Sequence, residues 1–338
     1  MNNKYFVREL KKGLPVSLSF LGIAVVIYIA IIFVQPFRPI SPHGSELSQI
    51  LTIGVVILGG VIATILPCFR FSKYMSKRSV DLYYSMPIKR NRLFISDFLA
   101  SSLELAGIYT TTYLIGFVCI ALRAIPYDYQ LVYMIPHFFI TLVLIFVPFC
   151  ISAFVFSRAG RILDGVLNII LYNIIFLVLG FTYAYLIQNS SMSLGVVAGS
   201  YFLSPVVMID SLFSYLISHH AYVIPPLFIN STIAYGIIYV LMAIGSVLGI
   251  LFIPKQADEA GEVSRSYFGY KIILPIFCAS LIHIGFCLHY IAGLVFIILA
   301  FGFYTFFNRG VKWSTLDYSL FGASIGVGLI FYIISIAQ

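Results

Sequence analysis

The chain has 338 residues, of which 61% are hydrophobic and only 9% charged, with a mean hydropathy of +1.03 and a formal net charge of +8. Soluble domains carry about 25% charged residues, so this chain has too little polar surface to cover a water-soluble globule of its length. Its main solvent is the bilayer, which sets aside the soluble enzyme and soluble binding classes.

The first thirteen residues, taken from the amino terminus, pattern as an amphipathic helix. Lys4, Arg8, Lys11 and Lys12 fall at i, i+4, i+7 and i+8, while Phe6, Leu10 and Leu14 repeat at i, i+4 and i+8. At 3.6 residues per turn this gives one basic and one apolar face, the pattern of a helix lying in the membrane interface.

Nine apolar runs follow, each close to the roughly 20 helical residues needed to cross a hydrocarbon core. They are Leu14 to Val34, Ile50 to Cys68, Phe98 to Leu122, Ile135 to Phe156, Val166 to Ile187, Ile233 to Ile253, Ile272 to Leu288, Ile291 to Phe307 and Tyr318 to Ala337. Only His289 and Tyr290 separate the seventh from the eighth, which makes them a tight hairpin or one broken element, and a count of eight or nine. The first run is too long for a signal peptide and no small-x-small site follows Val34, so it is expected to stay as an uncleaved anchor.

Loop charges orient this map, because short cytoplasmic loops collect Lys and Arg. With the amino terminus inside, the inner segments hold Lys4, Arg8, Lys11, Lys12, Arg70, Lys73, Lys77, Arg78, Lys89, Arg90, Arg92, Arg158, Arg161, Lys255, Arg265, Lys271, Arg309 and Lys312, which is 18 of the 20 basic residues. Arg38 and Arg123 alone fall outside. These charges lie beside spans, where anionic headgroups attract them, so the positive balance points to membrane lipids as partners and not to nucleic acid.

The longest inner stretch, 70–97, joins the second and third runs. Phe71, Tyr74, Met75, Arg78 and Leu82 share a helical face, and Pro87 suits a first helical turn, which predicts helix, turn, then the start of the third span. The loop 188–230 is expected outside as an interfacial or re-entrant element, because its segment 203–216 is apolar yet holds Pro205 and Asp210.

Chemical motifs are sparse. No G-x-x-x-x-G-K-[ST] loop is present, so the chain is not expected to hydrolyse ATP. No H-E-x-x-H or spaced Cys/His set suggests a metal, and Cys68, Cys119, Cys150, Cys278 and Cys287 sit within or at the ends of runs as small buried hydrophobes. His219-His220 read as surface decoration. Gly322-Ala-Ser-Ile-Gly326 matches G-x-S-x-G, but no histidine follows position 289 to serve as base, and small residues at this spacing serve helix packing. Asn189-Ser-Ser and Asn230-Ser-Thr have the form of glycosylation acceptors and carry no weight.

Glu104 is the carboxylate clearly inside a run, where an unpaired charge costs on the order of 2.5 to 3.5 kcal/mol. It faces a pathway or pairs with a basic neighbour near the inner surface. Asn168, Asn173 and His283 are intramembrane polar residues suited to a pathway or to interhelical hydrogen bonds.

The segment Ser76-Lys-Arg-Ser-Val-Asp-Leu-Tyr-Tyr-Ser-Met-Pro-Ile-Lys-Arg resembles the first cytoplasmic loop of ABC-2-type exporter permeases of Gram-positive bacteria. The order of parts over about the first 255 residues is similar too. The resemblance implies an all-α fold: an elbow helix at 1–13, a six-span permease core at 14–253 with a coupling loop at 70–97 and an external helical loop at 188–230, then two or three further spans at 254–338 beyond the family core. It implies contacts to a separate ATPase subunit at Lys77, Arg78, Asp81, Tyr83 and Tyr84, with Arg158, Arg161 and Asp164 from the second short loop.

By the same resemblance the chain is a permease subunit of the bacterial cell membrane, paired with a second permease copy. It carries no cofactor of its own, ATP and Mg being bound by the ATPase. The family includes exporters of amphipathic toxins such as phenol-soluble modulins and permeases linked to peptide-antibiotic resistance. Two rivals stand beside this: a membrane enzyme acting on lipids, for which no clustered acid, base and nucleophile is apparent, and an ion-coupled transporter, for which more intramembrane carboxylates are expected.

Overall fold

The computed structural model describes residues 3–34, 46–75, 90–124, 134–159, 162–187, 237, 240–251, 269–308, 310 and 313–337. Among these residues the chain is almost entirely helical and has no strand. Seven helices are long and apolar enough to cross a membrane, as the backbone requires where no water can satisfy its polar groups. The chain is a polytopic all-α membrane protein.

The helices are α1 (Asn3–Val34), α2 (Glu46–Phe71), α3 (Arg90–Ala124), α4 (Met134–Ser157), α5 (Ile162–Ile187), α6 (Val240–Leu251), α7 (Leu274–Leu288), α8 (Tyr290–Asn308) and α9 (Thr315–Ala337). The apolar stretches of α5 and α6 among the described residues, Ile162–Ile175 and Val240–Leu251, are shorter than a full crossing. A 3₁₀ turn, Ser72–Met75, continues α2, and a π-helical turn, Gly269–Ile273, precedes α7. The external loop expected at 188–230, with His219, His220, Asn189 and Asn230, lies outside the described residues.

Two compact units divide the chain: Met1–Ser157 with Pro205–Glu262, and Arg158–Ser204 with Val263–Gln338. In the first, α1 packs on α3, α2 packs on α4, and α2 and α3 also pack on each other, with α1 beside α2 and α3 beside α4. Residues 3–13 of the stretch read as an interfacial elbow continue without a break into the first span, although Pro15 removes one i→i−4 bond from the helix. The 32-residue α1 is therefore about 48 Å long, well beyond the roughly 30 Å of hydrocarbon.

Over its amino-terminal turns, the face that α1 buries is not the apolar one. Tyr5, Glu9, Gly13, Ala24, Tyr28 and Ile32 are buried, at spacings of four or a whole number of turns, while Val7, Leu14 and Leu18 are each about half exposed. The Tyr28 ring lies against Gly116 of α3, where any Cβ would overlap it. In lipid an apolar side chain gains little by facing another helix, so small and polar residues such as Gly13 and Glu9 can take the inner face.

In the second unit α7 and α8 form the tight hairpin. His289 adopts an extended conformation between them, and its N–H donates to the Gly285 carbonyl at 2.9 Å. Phe277 and Phe303 meet edge to face across the pair. Ser324 of the G-x-S-x-G segment donates to the Leu320 carbonyl and accepts from the Tyr304 hydroxyl at 3.1 Å. Packing is not focused on the flanking glycines: a Cβ on Gly322 or Gly326 meets nothing, whereas one on Gly328 meets the Ala279 carbonyl of α7.

α9 begins with a reciprocal cap. The Ser314 N–H donates to Asp317 Oδ2 at 2.9 Å, while the Asp317 N–H points back to the Ser314 hydroxyl oxygen at 3.4 Å, which satisfies donors that every helix start leaves orphaned. Tyr270 donates to Asp317 Oδ1 at 2.7 Å and accepts from Asn308 Nδ2 at 2.6 Å, tying the π-helical turn before α7 to α8 and α9. Ser314→Ala is expected to cost about 1 kcal/mol while Ser314→Thr retains most of it, read as the thermal midpoint of the purified chain.

Candidate functional site

The first unit holds a buried charged cluster built on three helices and the turn after α2. Arg70 lies in the last turn of α2, Lys73 and Tyr74 stand on the 3₁₀ turn, Tyr5 and Glu9 lie on α1, and Asp97 and Glu104 lie two turns apart on α3. Glu9, Asp97 and Glu104 are 2%, 3% and 9% exposed, a depth that ionised carboxylates reach only when paired and hydrogen-bonded.

The pairing is extensive. Arg70 grips Glu104 with both prongs of its guanidinium, Nε donating to Oε2 at 2.8 Å and Nη2 facing Oε1, and its Nη1 donates to the Glu9 carbonyl at 3.1 Å. This planar two-point geometry suits arginine and not lysine. Gly13 leaves the room: a Cβ there would overlap the guanidinium and the Glu104 carboxylate. Lys73 Nζ bridges two helices, 2.6 Å from Glu9 Oε2 and 2.9 Å from Asp97 Oδ2. The Tyr74 hydroxyl donates to Asp97 Oδ2, and the Tyr5 hydroxyl reaches Asp97 Oδ1 at 3.5 Å. Phe71 and Phe94 stack beside it with centroids 4.9 Å apart.

Mechanically, the cluster fastens the point where the basic loop leaves α2 to the amino-terminal turns of α1 and the first turns of α3. A displacement of the loop start would pull on Glu9 and Asp97 through one ammonium group. Among the described residues, three carboxylates face two cations, with two tyrosine hydroxyls directed at Asp97.

Of the residues singled out from the sequence, Glu104 is in this cluster, paired with a basic neighbour. Lys77, Arg78, Asp81, Tyr83, Tyr84 and Arg161 lie outside the described residues. Arg158 is half-buried just after α4, and burial lowers its guanidinium pKa from the ordinary value. Asp164 is half-buried in the first turn of α5, where a negative charge complements the helix dipole. Asn168 is half-buried on α5, and Asn173 Nδ2 donates to the Ile169 carbonyl of its own helix at 2.9 Å. His283 Nε2 lies 2.9 Å from Ser335 Oγ, an interhelical bond between α7 and α9.

Glu9, Lys73 and Asp97 were not legible as a site. Glu9 reads as a stray acid on a basic helix and Lys73 as one topology charge among many, while Asp97 stands one residue before the third apolar run. The available signal is Asp97 and Glu104 at i and i+7 on one helical face, opposite a basic loop.

A second polar cluster lies toward the other end of α3. The Tyr113 hydroxyl donates to the Met134 carbonyl at 2.8 Å and is 2.9 Å from His137 Nδ1, and Tyr109 bonds Thr141 at 2.6 Å. These bonds join α3 to α4. No group of three or more His, Cys, Asp or Glu side chains suited to a metal ion occurs among the described residues. Against known proteins, no family model, curated protein or solved structure matches the chain.

Proposed function

We propose that the chain is the membrane-spanning subunit of an ATP-driven exporter, working with a separate ATPase that docks on the basic loop between α2 and α3. Its cargo is amphipathic or hydrophobic peptide, and two copies or a copy and a related permease enclose the pathway. The observation that carries this reading is Lys73. It stands at the start of the proposed docking loop and is held by acids from two different membrane helices, so a push on the loop reaches α1 and α3 directly. A ligand or motor shifts a conformational equilibrium only through contacts that differ between states, and a buried ion pair that must break or move is such a contact.

Affinity purification of the tagged chain from its own host is expected to bring down an ATP-binding subunit, while the isolated chain turns over no ATP. Labelling from outside is expected to reach Ser190→Cys and not Ser76→Cys, which places the docking loop on the ATP side. Turnover by the isolated chain, or external labelling of position 76, would remove this reading.

The ion-coupled alternative gains from the same cluster, which adds Glu9 and Asp97 to Glu104 as buried carboxylates. Export that survives loss of the ATPase partner but collapses with a protonophore would favour it.

A further inference from the structure

The amino-terminal turns of α1 carry four basic residues and one acid, Glu9. Sequence spacing alone offers Glu9 the i+3 neighbour Lys12 on the same surface as its partner. The structure gives it a partner from another helix as well. Glu9 is 2% exposed and engaged by Lys73, and Arg70 and Lys73, the nearest cations of α2 and its turn, are drawn inward to the same cluster. Outward on these turns lie Arg8 and Lys11, both exposed. Beside that stripe, on the same outward arc, lie Val7, Leu14 and Leu18, 47%, 51% and 55% exposed.

A helix about 48 Å long in a hydrocarbon layer of about 30 Å must carry some of its turns in the headgroup region. The turns beneath the first apolar run, which begins at Leu14, are those of Arg8 and Lys11. We propose that this outward stripe binds the headgroups of anionic phospholipids through Arg8 and Lys11, with acyl chains against Leu14 and Leu18. The site lies on the back of the turn whose Glu9 holds Lys73, so lipid bound there restrains the helix that anchors the loop. A zwitterionic headgroup supplies no net charge for this stripe, and inorganic phosphate supplies charge without the acyl contact.

The test uses the full chain, purified and titrated with phosphatidylglycerol or phosphatidylcholine in mixed micelles, with retained lipid counted by native mass spectrometry. Phosphatidylglycerol is expected to be retained preferentially, and Arg8→Gln/Lys11→Gln to weaken that retention about fivefold per charge removed, so roughly 25-fold together. Arg8→Lys/Lys11→Arg is expected to keep it, and excess inorganic phosphate not to displace it. Eighteen inner basic residues set the orientation, so losing two leaves insertion intact. Equal retention by the double glutamine variant would overturn the proposal. So would equal retention of both lipids by the native chain, displacement by inorganic phosphate, or the same loss from Lys255→Gln/Arg265→Gln, which would mean that only net charge matters. None of these readouts involves ATP or cargo, so the lipid site and the exporter reading stand or fall separately.

Discussion

Arg70→Met is expected to destabilise the first unit by about 3 to 5 kcal/mol, because it leaves the Glu104 carboxylate buried without its partner. The same change takes away a donor to the Glu9 carbonyl. Arg70→Met/Glu104→Leu is expected to recover most of the loss. A buried ion pair is costly to break but not costly to replace, since desolvating both ions offsets much of their attraction. The readout is the thermal midpoint of the purified chain, with the single variant lower by on the order of 10 °C and the double variant near the native value. A single-variant cost below about 1 kcal/mol would mean that the pair behaves as a solvated surface pair, and the buried cluster would not be the joint described above.

Reversing the charge of Asp81 is expected to release the ATPase subunit while leaving membrane insertion unchanged. Asp81 is the acid among seven basic residues between Arg70 and Arg92, and orientation follows Lys and Arg, with acids contributing little. If Asp81 meets a cation of the motor in a desolvated contact, Asp81→Arg costs about 2 to 5 kcal/mol of docking; an exposed pair would cost about 0 to 1. Co-purification of the ATPase with the variant, and peptide-stimulated hydrolysis by the reconstituted complex, measure the difference. Native levels of both would make Asp81 a solvated surface charge and take the docking assignment from this residue.

The two variants separate two parts of one path. Arg70 and Glu104 concern whether the helices under the loop are held together, and Asp81 concerns whether anything outside pulls on the loop. A chain that loses stability with Arg70→Met but keeps its ATPase with Asp81→Arg would have the joint without the docking contact.

The sequence by itself determined most of the helices able to span, because crossing hydrocarbon demands an apolar length that composition displays directly: among the described residues, seven of the nine runs stand as helices long and apolar enough to cross a membrane. The hairpin at His289 was one of two readings of a two-residue gap, and backbone geometry decided it. Which faces meet was not legible. Period-3.6 patterning marks Phe6, Leu10 and Leu14 as the apolar face of α1, whereas the bundle buries Tyr5, Glu9 and Gly13. In water hydrophobicity selects the inner face; in lipid it does not, and close approach and polar pairing select it instead. For the same reason the partner of Glu104 had to come from Arg70, 34 positions away, and only the crossing of α1, α2 and α3 brought Glu9, Lys73 and Asp97 to one point.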